Sequence, residues 1–159
     1  MHRVTLITVG TLKEHYLQAA ADEYKKRLSA FCDLKEVNLP EEKIADESDA
    51  RAVAAALGRE GEKILAAVPP GTPLIALCVE GKELSSEEFA GAVGQYGDAG
   101  GTLAFVVGSS HGLSPAVKAR AALKLSFSKM TFPHQLMRVV FLEQLYRAYP
   151  LRAGKRYHK

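Results

Sequence analysis

The 159-residue chain has no tryptophan, only two cysteines and no apolar run long enough to cross a membrane. Without about 18 consecutive apolar residues a transmembrane helix is excluded. The opening residues, MHRVTLITVG, are too short and too quickly polar for a secretory signal peptide. Cys32 and Cys78 stand in apolar, strand-like segments, with no Cys or His spacing typical of a metal site. We therefore expect a cytoplasmic protein with two buried thiols and no metal.

The sequence also lacks the phosphate-binding motifs G-x-G-x-x-G and GK[ST]. Its net charge is only +3, but the charge is unevenly placed. Residues 115–159 contain ten of the 21 Lys and Arg residues and a single acid, Glu143. A basic third beside an acidic body suits a surface for a polyanion such as nucleic acid, and it equally suits a solvated basic helix and tail.

Apolar patterning predicts strands and helices that alternate along the chain. The predicted strands cover residues 3–10, 31–39, 73–79, 103–107 and 123–126. The predicted helices cover residues 14–30, 48–68, 85–96, 114–122 and 134–149, with a turn at 97–101. The alternation predicts a single α/β domain over residues 1–159, with a mostly parallel sheet covered by helices on both faces and a polar tail at 150–159.

Three helix starts carry capping signals. Ser48 or Asp49 can cap the second helix, and Ser85 with Glu88 forms the capping-box pattern of the third. Ser114 followed by proline is a favoured start for the fourth.

Ligands of parallel α/β sheets gather at the carboxyl ends of the strands. Three segments should meet there, at residues 77–81, 108–112 and 127–132. Gly108 would let a ligand approach the backbone closely, or it merely punctuates the passage from strand to helix. The last segment could hold a flat heterocycle through main-chain hydrogen bonds, or be an ordinary turn that buries Phe127 and Phe132.

The run Gly108–Gly112, GSSHG, also fits the nucleophile elbow of serine hydrolases. Ser110, Glu143 and His158 have the chain order of such a triad, but no HGGG-type oxyanion segment precedes them. Glu143 also has a natural partner in Arg147, four residues further along a helix. A hydrolase is therefore an alternative function, and a nonenzymatic RNA-binding module is another.

Charged residues interrupt the last predicted helix, which otherwise has a buried apolar face. Arg138 and Arg147 either pair within that helix or contact an anion. The chain ends in Tyr157, His158 and Lys159, an aromatic, a base and a cation that suit a functional tail.

The block FSKMTFPHQLMRVVFLEQLYRA and the ending YHK closely resemble the RlmH-type methyltransferases of the SPOUT superfamily. The segments VTLITVGTLK and LIALCVEGKELSSEEFA and the Gly108 loop extend the resemblance over the whole chain. It implies a deep C-terminal trefoil knot, a homodimer, and S-adenosylmethionine (SAM) as methyl donor. It also implies a substrate, N3 of the pseudouridine at the position called 1915 in the 23S rRNA of the assembled ribosome.

The resemblance also assigns roles to individual residues. It implies a SAM site formed by Leu77, Gly108, Phe127, Ser128, Lys129, Met130, Thr131 and Phe132. It implies catalytic roles for Arg147, Tyr157, His158 and Lys159. His158 suits proton removal, Arg147 and Lys159 suit binding of phosphate or a developing anion, and Tyr157 suits positioning of the base. Ser109 stands where the family commonly has a second glycine, and a positive φ there would strain it.

Overall fold

The computed structural model describes residues 1–155 as five strands alternating with five helices. The strands are β1 (His2–Val9), β2 (Cys32–Leu39), β3 (Leu74–Glu83), β4 (Thr102–Val107) and β5 (Leu123–Ser126). The helices are α1 (His15–Leu28), α2 (Ala50–Ala67), α3 (Ser86–Gly100), α4 (Pro115–Arg120) and α5 (His134–Arg152).

The five strands form one sheet in the order β2-β1-β4-β3-β5, and every neighbouring pair is parallel. Parallel strands need crossover connections, and each helix from α1 to α4 supplies one. The last helix, α5, returns across the sheet and packs against α1 and α3. The structure confirms the predicted α/β fold.

A separate apolar core lies on each face of the sheet. Leu6 and Phe105 belong to the core with Phe141 of α5, and the rings of Phe105 and Phe141 are 4.8 Å apart. Ile7 and Val106, the next residues along the same two strands, belong to the other core, under α2 and α4. Because successive side chains of a strand point to opposite faces, a strand buried on both faces is apolar throughout.

The helix starts follow the sequence signals. The side chain of Asp49 accepts hydrogen bonds from two backbone N–H groups of the first turn of α2, at 3.0 and 3.3 Å. Ser85 and Glu88 form a complete capping box at α3. The hydroxyl of Ser114 accepts from the N–H of Val117.

The predicted turn at residues 97–101 is wrong, because α3 continues through it to Gly100. Gly97 is a glycine for packing reasons, since a Cβ there would lie 2.5 Å from the ring of His2. The helix ends at Gly101, whose φ of 73° lies in the left-handed region that suits glycine. Local turn propensity is thus overridden by the contact of α3 with β1.

Two other elements are longer than predicted. β3 continues to Glu83, and its pairing with β5 shifts so that Leu77 and Lys82 both face Leu125. α5 continues through Pro150 to Arg152, so the segment after the helix begins later than residue 150.

The two thiols differ in their surroundings. Cys32 is buried, and burial raises its pKa to about 11. Cys78 is only half-buried, which corrects the expectation of two buried thiols. Within residues 1–155, no group of three or more His, Cys, Asp or Glu side chains could hold a metal ion. No helix in that range combines the length and apolarity needed to span a bilayer.

Candidate active site

A cavity of about 530 Å³ opens at the carboxyl ends of β3, β4 and β5. The three segments expected to meet there do meet. Leu77 is paired with Val107 of β4 on one side and Leu125 of β5 on the other, so the ends of the three strands lie side by side. The cavity is lined by Leu77, Cys78, Val79, Glu80, Val107, Gly108, Ser109, Ser110, Gly112, Leu113, Lys118, Leu125, Phe127, Ser128, Met130, Thr131, Phe132, Pro133, His134 and Met137.

Seven of the eight residues assigned to the cofactor by resemblance line this cavity. The exception is Lys129, which is not part of the wall. The structure thus brings the assigned residues together around one space, while their role in binding stays a prediction. Sequence reasoning missed Lys118, His134 and Met137, which reach the cavity from α4 and α5. All three lie on predicted helices several residues after a strand end, and no motif in the sequence marked them.

Gly108 is required by a close approach of two backbone segments. A Cβ at this position would lie 2.5 Å from the carbonyl oxygen of Gly112 and 2.8 Å from Cδ2 of Leu113. Its φ is not positive, whereas Gly112 has a φ of 90°. The loop therefore folds tightly back on the end of β4, and no side chain occupies the cavity wall at Gly108.

Ser109 is not strained, since no residue other than glycine has a positive φ within residues 1–155. Its carbonyl accepts a hydrogen bond from the N–H of Gly112 at 2.9 Å. The Ser109 side chain is buried, and its Oγ has no hydrogen-bond partner among the described residues. Such an orphaned hydroxyl in a cavity wall can bond a polar ligand atom.

The loop after β5 holds its shape through its own serines. Ser126 Oγ donates to the carbonyl of Ser128, and the N–H of Met130 donates to Ser128 Oγ, both at 3.0 Å. The ring of Phe127 packs edge-on against Phe89 of the core, whereas Phe132 is 39% exposed. The alternative expectation that both rings are buried is therefore wrong, since Phe127 is half-buried against the core and Phe132 is exposed.

The outer rim of the cavity is polar. Lys118 forms an ion pair with Glu80, and this contact holds the pKa of that carboxyl below its usual range. Burial raises the pKa of the neighbouring Cys78 thiol. Cys78 is thus a neutral thiol at neutral pH and carries no nucleophilic character of note.

The two arginines of α5 have different partners. Arg147 pairs with Glu143 one turn earlier, with Nη2 2.5 Å from Oε1, which confirms the expected intrahelical pair. Arg138 is only 2% exposed, and its Nη2 donates to the carbonyls of Val9 and Gly10. Because Arg138 is buried, part of the basic C-terminal third does not contribute to the surface.

The hydrolase triad is not assembled among the described residues. The hydroxyl of Ser110 donates to Glu41 at 3.4 Å, and Glu143 is engaged by Arg147. The third member, His158, lies outside the described residues, as do Tyr157 and Lys159.

The chain is a parallel α/β protein with a cavity at the carboxyl edge of its sheet, where proteins of this class bind their ligands. The family model described as "Predicted SPOUT methyltransferase" matches residues 2–158. The chain belongs to the SPOUT methyltransferase family.

Individual relatives agree with this assignment. The chain is 52% identical to "Ribosomal RNA large subunit methyltransferase H" of Clostridium novyi (strain NT), over 98% of this chain and 99% of the relative. It is 44% identical to the protein of the same name from Exiguobacterium sibiricum, over 99% of both chains. A solved structure of a probable methyltransferase from Bordetella pertussis Tohama I superposes with a TM-score of 0.59 at 21% identity, covering 93% of this chain and 95% of that one. This last likeness supports the fold alone.

Proposed function

We propose that this protein transfers a methyl group from SAM to RNA of the large ribosomal subunit. The observation that carries the proposal is that Leu77, Gly108 and most of the loop at 127–132 line one shared cavity. Relatives that match nearly the whole chain are named as large-subunit rRNA methyltransferases, which supports the same substrate class.

The acceptor atom, the chain topology and the oligomeric state are proposed from the sequence resemblance to RlmH-type methyltransferases. We propose N3 of the pseudouridine at position 1915 of 23S rRNA as the acceptor, within the assembled ribosome in the cytoplasm. We also propose a single SPOUT domain, a trefoil knot in the C-terminal part of the chain, and a homodimer.

The residues present fit SAM. The cavity volume of about 530 Å³ is in the range of sites for ligands of this size. Apolar walls from Leu77, Phe127 and Phe132 suit a flat adenine, and the bare backbone at Gly108 allows close approach. The buried hydroxyl of Ser109 offers an unused hydrogen bond.

Bound SAM supplies a methyl group on a positively charged sulfur, which is open to in-line attack by a nucleophile. The cavity residues hold this group in one orientation, and orientation alone supplies much of the rate of such a transfer. His158 would accept the N3 proton of the pseudouridine and so leave N3 able to attack the methyl group. Tyr157 positions the base, and Lys159 holds phosphate or the developing anion.

Arg147 acts from α5 in this proposal. Its pairing with Glu143 fixes the direction of the guanidinium, with two of its nitrogen atoms on the carboxylate. Arg147 would stabilise negative charge on the base once N3 has lost its proton.

Two measurements test the proposal. Calorimetric titration with SAM should give heat and a single site per chain. Ribosomes lacking the modification should gain tritium from labelled SAM, and nuclease digestion should locate the label in large-subunit rRNA. No binding of SAM would contradict the proposal. Ester hydrolysis that disappears in Ser110→Ala would instead support the hydrolase, and RNA binding without methyl transfer would support a binding module.

A further inference from the structure

A second cavity, of about 250 Å³, lies beside the cavity proposed for SAM and shares a wall with it. Leu125, Phe127 and Phe132 line both spaces. The other walls of this side cavity come from the start of α3 and the middle of α5, through Leu84, Ser85, Ser86, Phe89, Val140 and Gln144. A ligand in the side cavity would therefore lie next to a methyl donor bound in the larger one.

Three phenylalanine rings give the side cavity flat apolar faces. The rings of Phe89 and Phe127 meet edge to face, with their centroids 6.4 Å apart, so each fixes the position of the other. Phe132 is exposed and stands on the wall shared with the SAM cavity. Proteins that bind extruded nucleobases stack them on aromatic side chains of this kind. The apolar faces therefore suit a single flat base.

The polar wall of the side cavity consists of Ser86 and Gln144. The hydroxyl of Ser86 donates to Gln144 Oε1 at 2.8 Å, and Gln144 Nε2 donates to Glu143 Oε2 at 2.9 Å. A primary amide has two N–H donors and two acceptor lone pairs, and these contacts within residues 1–155 use one of each. Gln144 is thus held in one orientation and keeps a donor and an acceptor for a ligand.

The carboxylate of Glu143 connects this wall to Arg147. Glu143 accepts from Gln144 on one oxygen, and Arg147 contacts both of its oxygens. The side cavity therefore has the SAM cavity behind one wall and the Glu143–Arg147 pair behind another. An acceptor base belongs at such a place, because it must face the methyl group while its developing charge is stabilised.

Pseudouridine offers Gln144 a hydrogen-bond donor that uridine lacks. Its ring is joined to ribose through carbon, so N1 carries a hydrogen, whereas N1 of uridine is bonded to the ribose. N1–H and the neighbouring C2 carbonyl match the acceptor and the donor that remain on the amide. N3 lies on the other side of the C2 carbonyl, so a base held in this way keeps N3 available for the methyl group.

We propose that the side cavity binds the acceptor base, and that Gln144 selects pseudouridine over uridine by accepting from N1–H and donating to the C2 carbonyl. Phe132 stacks on the ring from the wall shared with SAM. The inference rests on the proposed function, because it assumes methyl transfer to a pseudouridine of ribosomal RNA. It gives the base a reader that is distinct from the residues that hold SAM or remove the proton.

Gln144→Met tests this selection, because methionine keeps the length of the side chain and lacks the amide. The substrates are two ribosome preparations, one with pseudouridine at the acceptor position and one with uridine there. Tritium transfer from labelled SAM gives kcat/KM for each preparation. The wild-type protein should favour pseudouridine by at least about tenfold. Gln144→Met should lose about tenfold on pseudouridine and keep the low wild-type rate on uridine.

The matched control is Gln135→Met, in the first turn of the same helix. Gln135 lines neither cavity, and its side chain accepts one long hydrogen bond, 3.4 Å, from the N–H of Lys13. This variant should transfer to both ribosome preparations at the wild-type rates. Calorimetry should show wild-type SAM affinity for both variants, because Gln135 and Gln144 lie outside the wall of the SAM cavity.

An equal loss on both substrates in Gln144→Met would give the amide a structural role and overturn the proposal. Loss of SAM binding in this variant would do the same, as would an unchanged preference for pseudouridine. A wild-type protein that methylates both preparations equally well would also contradict the selection. Absence of SAM binding, or of transfer to either preparation, by the wild-type protein would instead overturn the proposed function itself.

Discussion

At Gly108 the absence of a side chain matters because of space, not because of backbone conformation. The glycine lies where the end of β4 and the following loop come into contact, with the Gly112 carbonyl 2.5 Å from the position of a Cβ. The sequence predicted that Gly108 lets a ligand approach the backbone, and the structure places this glycine in the cavity wall. The structure gives it a φ that other residues can adopt.

Gly108→Ala should therefore damage the cavity. The added methyl group forces the Gly112 carbonyl and Leu113 to move, which costs about 1–3 kcal/mol of folding free energy. We expect SAM affinity to fall by at least about tenfold, because the moved residues form the cavity wall. Calorimetry measures the affinity, and urea unfolding measures the stability.

The control for this substitution is Gly58→Ala, in α2. A Cβ there meets nothing within 4 Å, and Gly58 is exposed. The variant should be more stable by about 0.5–1 kcal/mol, because alanine favours the helix. If Gly108→Ala binds SAM as tightly as Gly58→Ala does, the close approach at Gly108 is irrelevant to binding.

At the scale of elements, Asp98 joins α3 to both β1 and α5. Its carboxylate accepts from His2 Nε2 at 2.7 Å, and each of its oxygens is 2.6 Å from Nη2 of Arg152. Gly97 leaves room for the His2 ring in this contact. The end of α5, from which the assigned catalytic tail continues, is therefore tied to the sheet.

Asp98→Asn should lower stability in a pH-dependent way. The bonds from His2 and then Arg152 hold the pKa of Asp98 below its ordinary value of 3.8. A carboxyl with a lowered folded-state pKa stabilises the fold above its unfolded pKa, and that stability is lost as pH falls through the folded value. Urea unfolding should show Asp98→Asn less stable than the wild-type protein at pH 7, with the gap narrowing below pH 4.

Asp33→Asn, which alters an exposed carboxyl on β2, is the comparison. Its urea unfolding should match that of the wild-type protein both at pH 7 and below pH 4. A gap between Asp98→Asn and the wild-type protein that stays constant down to pH 2 would contradict an electrostatic role for Asp98.

At the scale of the whole molecule, the proposed homodimer raises the question of which subunit's tail serves which cavity. Deletion of residues 157–159 should leave SAM binding intact and abolish transfer to ribosomes, since the assigned base His158 is removed. Calorimetry and tritium transfer measure the two effects. Transfer at the wild-type rate would contradict the role of the tail.

Mixed dimers identify the subunit that provides the tail. The tail-deleted chain and Gly108→Ala are co-expressed with different affinity tags and assayed at a SAM concentration at which neither chain alone transfers the methyl group. If the tail completes the partner's site, half of the randomly paired dimers regain one site, and transfer recovers to about a quarter of the wild-type level. Absence of recovery in isolated mixed dimers would show that each tail serves its own cavity.

Local patterns predicted most of the elements, because their causes are local. The capping box of Ser85 and Glu88 and the cap of Ser114 involve residues three apart, and both form as expected. The predicted meeting of Leu77, Gly108 and the loop at 127–132 also follows from a simple rule, since parallel strands end at the same edge.

The failures involve distant partners. The helix through Gly97 depends on a contact with His2, which lies on β1 near the start of the chain. A pattern of neighbouring residues around Gly97 cannot show this contact. The Arg138 contacts join α5 to backbone carbonyls almost 130 residues earlier, at Val9. Intrahelical spacing suggested a partner or an anion for Arg138, but no periodicity indicates a carbonyl on another element.

By itself the sequence determined the alternation of strands and helices, the position of the candidate site and the family resemblance. These three features depend on the spacing of apolar residues, on capping residues or on a contiguous motif. Such patterns involve residues that are close together in the sequence. The tertiary structure alone decided that Arg138 is buried, that Ser109 is unstrained and that Glu41, His134 and Arg138 surround Gly10. Those facts depend on how β1, β2 and α5 pack, because unpaired charges and close approaches arise only when distant segments share one space.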